Sequence, residues 1–285
     1  MKAEDIVRVK ELLPTGLGSD EIREQIARDI LARSIFSARM ESAHYLKRLR
    51  EVCTQILAGE INFSTARADL GSLLQQMGYS PLREGEDGAP VIDNSLANPA
   101  SERRLQLILD TQTQMAASVA RMNNQTADTV YLTPAWELVR FETRRVPRAD
   151  WRERWQAAGD AVGWEGAARV RGATGDRMIA LKTSPIWQAL GNGAGGFTDT
   201  LGNPYPPFAY SSGMDWIGVD RDECISLGLI APDWDPEDVG TGGGRGATAL
   251  PSASLAVDGV EIQEAIARYG FPDIGFGLGL EGVGA

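Results

Sequence analysis

The chain carries one histidine, His44, and two cysteines, Cys53 and Cys224. A Ser-His-Asp or Cys-His relay needs an imidazole to accept a proton, and a zinc site needs about four His, Cys or acidic ligands. His44 sits in a stretch with helical periodicity. Cys53 follows nine residues later, roughly 13 Å away at 1.5 Å per residue, so the two cannot pair within one helix. One imidazole and two isolated thiols also fall short of a His/Cys zinc site. His44 therefore reads as a surface or packing residue, and no metal or other cofactor is expected.

Three other patterns could carry chemistry. Gly191 to Gly196, GNGAGG, has the G-x-G-x-x-G spacing of a dinucleotide loop. Such a loop needs a strand before it and a helix after it, so that backbone N–H groups face the phosphates. Here a helix is predicted before it, and the prolines of the following FTDTLGNPYPPF forbid a helix after it. In DWDPED, residues 233–238, Asp233, Asp235 and Glu237 alternate like half a calcium loop. The turn glycine and the closing glutamate are replaced by Asp238 and Gly244. An acidic turn is the simpler reading. Arg140 to Arg154 holds six arginines, but Glu142, Asp150 and Glu153 are interleaved with them, which favours a salt-bridged surface over a nucleic-acid stripe. A pair of carboxylates for glycoside cleavage is defined by separation in space and stays open at this level.

The elements that would position these residues divide the chain. Ser19 precedes Asp20 and Glu21 as an N-cap, and apolar residues recur at Ile22, Ile26, Ile30, Phe36, Met40, Ala43, Leu46, Leu49, Cys53 and Ile56. This predicts one apolar helical stripe that ends at Gly59. Its length of close to forty residues requires either a kink near Ser34 or a projecting helix. Ser64 is expected to cap a second helix through Met77 that ends at Gly78. The Pro-, Gly- and acid-rich stretch from Tyr79 to Ala100 reads as a connector. Ser101 and Glu102 open a helix that closes at the polar Asn123–Gln125. Strands are predicted at Trp136–Phe141 and Met178–Leu181, a short helix at Ala149–Ala158 and a capped one at Asp220–Leu227. GTGGGRG at 240–246 reads as flexible, and Asp258 with Glu261 forms a capping box for one last short helix.

The predicted class is therefore α+β. A helical hairpin region spans 1–80, a linker 81–100, a mixed α+β domain 101–230, and an acidic Gly-rich tail with one short helix 231–285. Composition agrees with this division. Of 285 residues 43 % are apolar, enough for a real core, and the net charge is -11. Residues 1–182 are neutral, with 25 basic and 25 acidic side chains, whereas 183–285 hold 3 basic and 14 acidic. All seven tryptophans lie between Trp136 and Trp234, and 20 of the 32 glycines lie after residue 182. No apolar run approaches the ~20 residues of a membrane span, and the charged MKAEDIVRVK is unlike a signal peptide. A soluble, unexported protein made in a reducing cytosol is expected.

Five segments together resemble the minor head proteins, or head morphogenesis proteins, of Mu-like and related tailed phages. They are LARSIFSARMESAHYLKRLREVCTQILAGEINFSTARADLGSLLQQMGYSP at 31–81, RLQLILDTQTQMA at 104–116, PAWELVRFETRRVPRADWRERW at 134–155, MIALKTSPIWQALG at 178–191 and LGNPYPPFAYSSGMDW at 201–216. The similarity covers about residues 20–230. Many members of the wider family end this domain with a His-Pro-x-Cys-Arg-Cys-like turn. NPYPPFAYSSGM stands in its place here, so no metal or disulfide role carries over.

The resemblance implies a structural virion protein, not an enzyme, acting at or near the portal vertex during head assembly and DNA packaging or ejection. Its implied partners are portal or major capsid protein, other copies of itself, and packaged DNA, with no membrane. It would reside in the phage head, and in the host cytoplasm during assembly. The stripe residues Ile22, Ile26, Ile30, Phe36, Met40, Leu46, Leu49 and Ile56 are the expected interaction surface, because the helix 64–77 alone is too short to cover them. Folding back of the helix at 101–122 would instead complete an intramolecular bundle. Two other functions stay open: a virion-associated peptidoglycan hydrolase using two carboxylates, and a DNA-contacting head protein using Arg140–Arg154.

Overall fold

The computed structural model describes residues 1–141, 148–163 and 177–236. The fold is α+β, with ten helices and three small sheets among these residues. The expectations for the glycine-rich stretch at 240–246 and the helix after Asp258 lie outside the described residues.

The predicted long helix is broken into pieces. Helix α1 spans Ala3–Arg8 and strand β1 Glu11–Leu12; α2 spans Ser19–Gln25, α3 Arg28–Arg33, β2 Ser34–Ile35 and α4 Ala43–Leu57. The apolar spacing is real, but the backbone of residues 34–40 is claimed by another segment. β2 pairs in parallel with β1, Leu13 N–H donates to the Ile35 carbonyl, Thr15 N–H to that of Met40, and Arg39 N–H to that of Leu17. The Ser34 hydroxyl donates to the Ile30 carbonyl four residues back, a local bond that competes with helix continuation. Arg39 then takes a positive φ of 56°, and Ser42 caps α4 by accepting from Tyr45 N–H. Upstream, the cap of α2 is Gly18, whose N–H donates to Glu21 Oε2 at 2.6 Å, and Ser19 is the first helical residue.

Helix α5 spans Phe63–Gln76, capped by Asn62 instead of Ser64, and the chain leaves it through Gly78 at φ +89°. Strands β3 (Leu82–Glu84) and β4 (Pro90–Ile92) follow within the predicted connector. Helix α6, Glu102–Asn123, is capped by Ser101 as expected and is the centre of the molecule, burying twelve of its 22 residues. Helices α1, α4 and α5 pack on it, α5 at its start through Arg67 and Gln106 and α1 between Gln112 and Asn124, joining Leu105 and Leu109 to Leu46, Leu49 and Leu70 in one core. Folding back of α6 thus completes an intramolecular bundle.

The second half of α6 lies on an antiparallel sheet of order β6-β5-β7. β5 is Ala135–Arg140, β6 Ile179–Leu181 and β7 Met214–Val219. Alternation puts Trp136 and Leu138 of β5, with Met214 and Trp216 of β7, into the core that α6 shares. The opposite face, Ala135, Ile179 and Val219, packs with Cys224 and Ile230. Helices α7 (Ala127–Leu132), α8 (Trp151–Ala161), α9 (Ile186–Asn192) and α10 (Arg221–Ser226) complete the described chain. One apolar cluster runs from Ile6 to Trp216, so residues 1–80 and those after 101 share a core across the predicted linker.

Candidate interaction surface

The eight residues expected to face a partner are distributed inside the chain. Ile22 and Ile26 are buried with Leu13 in a satellite cluster against which Ile30 and Phe36 pack. Met40, Leu46 and Leu49 are fully buried in the main core, and Ile56 packs on its edge. The premise of a bare apolar stripe is therefore corrected. The fold-back of α6, joined by α1, covers Met40, Leu46 and Leu49, and the segment around Leu13 covers Ile22 and Ile26.

Large exposed apolar side chains are scattered at Val9, Leu132, Phe141 and Ile217, and three fall together on the β3–β4 hairpin. Leu82 stands directly opposite Ile92 in the antiparallel register, and the two are 49 % and 76 % exposed. Val91 is exposed on the other face. All six strand residues are exposed. The turn is set by Asp87-Gly88: Gly88 takes φ +80°, Asp87 accepts from Ala89 N–H, and Gly85 N–H donates to the Ala89 carbonyl at 2.8 Å. Below the strands the arm is fastened by Asp93 N–H to the Pro81 carbonyl, by the Asn98 amide to the Ser80 carbonyl and by the Ser101 hydroxyl to the Ser95 carbonyl. A two-stranded hairpin is marginal alone, and its outer edges carry unpaired backbone groups suited to adding a strand from a partner. The signal in the sequence was the Asp-Gly pair between LRE and PVI.

Of the arginine-rich stretch, Arg148 and Arg154 are tied to acids, and Arg140 donates to the Arg148 carbonyl. Arg148 and Arg154 each bind one oxygen of Asp199, and Arg154 also binds Asp150 Oδ2 at 2.9 Å. Arg154 is buried, its guanidinium 4.3 Å from the centre of the Phe197 ring. Burial alone would raise the Asp199 pKa, but the bonds from Arg154 and Arg148 outweigh it and hold the carboxyl below its ordinary value. This is the salt-bridged arrangement, although Asp199 was not among the partners read from the sequence. Arg144, Arg145 and Glu142 lie outside the described residues.

The residues suited to nucleophilic chemistry are not assembled. His44 is exposed on α4. Cys53 and Cys224 are buried free thiols, and burial raises their pKa values to about 12 and about 11. Among the described residues no group of three or more His, Cys, Asp or Glu could hold a metal ion. No helix among them is long and apolar enough to cross a membrane.

Two buried lysines had no signal in the sequence. Lys10 Nζ donates to Gln112 Oε1 at 2.8 Å. Lys182 Nζ donates to Gln125 Oε1 at 2.6 Å and to Thr133 Oγ1 at 2.9 Å. Burial lowers both pKa values to about 8, and each amine ties separate elements together.

The GNGAGG motif serves packing. Gly191 lies in α9, where a Cβ would sit 1.8 Å from the Asn203 carbonyl oxygen, and Gly193 ends the helix at φ +85°. The loop that follows inserts Phe208, fully buried, against Trp187 and Trp216, so NPYPPF plugs the aromatic core. The turn at Asp233 and Asp235 is held by Arg221, which donates to the carbonyls of Pro232 and Trp234; Glu237 and Asp238 lie outside the described residues. No protein-family model, curated protein or solved structure matches the chain.

Proposed function

We propose that this chain is a structural virion protein of a tailed bacteriophage, a minor head protein that docks at or near the portal vertex against portal or major capsid protein. The observation that carries this reading is the β3–β4 arm: a filled core holds out a hairpin whose paired Leu82 and Ile92 face solvent. The five phage-like segments, in matching order along residues 20–230, supply the class of particle. In this reading the protein acts in head assembly and in DNA packaging or ejection, without catalysis of its own. It is made in the host cytoplasm and ends in the phage head in more than one copy. The DNA-contacting alternative loses ground, because Arg148 and Arg154 are already committed to Asp199 and Asp150.

Mass spectrometry of purified particles tests the assignment. The chain is expected among the head proteins at a stoichiometry below that of the major capsid protein. Its absence from complete particles would overturn the reading.

A further inference from the structure

A cavity of about 310 Å³ opens between the α2–α3 segment, the middle of α6 and the chain around Asp199–Leu201. It is the seam between the satellite cluster of Leu13, Ile22 and Ile26 and the main core. Ile22, Leu31 and Phe36 line one side, Ile108 and Met115 another, and Leu201 a third. Its volume is at the lower end of the range for small-molecule pockets.

The charge around it is one-sided. Arg23, Arg28 and Arg104 line the cavity, Arg23 at its rim already paired with Asp20, and the single lining carboxylate is Asp199, whose two oxygens are bound by Arg148 and Arg154. Arg104 is buried, and its acceptors are all uncharged: the carbonyls of Leu96 and Ala97 at 3.3 and 3.2 Å, the Ser37 hydroxyl at 2.9 Å, and the Ala38 carbonyl. A guanidinium out of water with only neutral partners leaves a positive charge uncompensated in a low-dielectric setting. Arg28 is held at the wall by donating to the Asn192 carbonyl at 3.1 Å. Gly202, at φ +85°, makes room for its stem, because a Cβ there would lie 2.5 Å from Arg28 Cδ.

We infer that this cavity binds a small organic anion with an apolar body, its acid group toward the arginines and its hydrocarbon against Leu31, Phe36 and Ile108. A bare phosphate would match the charge but leave the apolar walls unfilled. A neutral hydrocarbon would do the reverse.

Isothermal titration calorimetry of the full chain with decanoate, decanol and inorganic phosphate separates these cases. Decanoate is expected to saturate one site per chain, with decanol and phosphate each at least about tenfold weaker, the scale of one lost charge-assisted bond. The rim double variant Arg23→Gln/Arg28→Gln should weaken decanoate by a similar factor and leave decanol unchanged. Ala32→Phe, which fills the cavity from α3, should abolish binding of both while keeping a cooperative thermal transition. Absence of saturable decanoate binding by the wild-type chain, equal affinity for decanol, or wild-type affinity in the rim variant would overturn the inference.

Discussion

Trp136 and Trp216 stack face to face, ring centroids 3.8 Å apart and planes 9° from parallel. The register explains the contact. Trp216 lies opposite Leu138, and the residue opposite Trp136 is Gly218, so no side chain competes for the space over which the two indoles meet diagonally. Trp187 meets both of them edge-on, at 6.0 and 5.6 Å. This cluster joins the sheet to α9 and to the Phe208 plug. Trp216→Ala should therefore cost about 3–5 kcal/mol, the range for removing a buried large aromatic, read as a lower urea midpoint with an unchanged m-value. A loss below about 1 kcal/mol would show that the stack is not part of the cooperative core.

Much of this was legible where local signals and tertiary packing agree. Ser101 capping α6, the aromatic strand β5 and the Asp220 cap of α10 all appear as expected, because each depends on neighbours in the chain. The stripe from Ile22 to Ile56 was misread for the opposite reason. Its spacing of three and four survives, but residues 34–40 give their backbone groups to residues 11–17, a partnership that no window of periodicity contains. Asp199 binding Arg148 and Arg154, and Lys10 buried against Gln112, are likewise products of distance in sequence.

Burial of the stripe makes Met40 and Leu49 core residues. Met40→Asp or Leu49→Asp should abolish the cooperative thermal transition, since an unpaired carboxylate in a filled apolar site costs more than about 4 kcal/mol. A soluble, fully folded variant of either kind would restore the exposed-stripe interpretation.

The hairpin behaves in the opposite manner. Leu82→Lys/Ile92→Asp places a pair of opposite charges across the register where solvent already is, so stability should stay within about 0.5 kcal/mol of wild type. Incorporation into particles, measured by immunoblot of purified heads, should drop sharply. Wild-type incorporation of the folded variant would remove the arm from the assembly interface.

Asp199 should mark the acid side of the stability profile. Its folded pKa is depressed, so its contribution is fully present above the unfolded carboxylate value of about 3.9 and is lost as pH falls through the lower folded value. Asp199→Asn should cost about 1–3 kcal/mol at neutral pH, because Arg154 loses one of its two charged partners. The gap between wild type and variant should narrow below about pH 4. A gap constant down to acid unfolding would mean that the carboxylate charge is not what the arginines hold.

Lys10 makes the corresponding prediction on the basic side. Burial lowers its pKa to about 8, whereas the unfolded chain keeps the ordinary value of about 10.4. Between these values the unfolded state holds a proton that the folded state has released, so this group makes stability rise with pH, by at most about 1.4 kcal/mol per unit. Cys53 pulls the other way: its pKa is raised to about 12 by burial, so the unfolded thiol ionises first and stability falls with pH above about 8.5. Subtracting a Lys10→Met variant, which retains Cys53, isolates the lysine. Urea unfolding of both chains from about pH 7 to about pH 9.5 should show the wild-type stability gaining on the variant's as pH rises. A difference that stays flat over that range would mean that the buried amine keeps its proton, with Gln112 Oε1 at 2.8 Å sufficient to hold the charge.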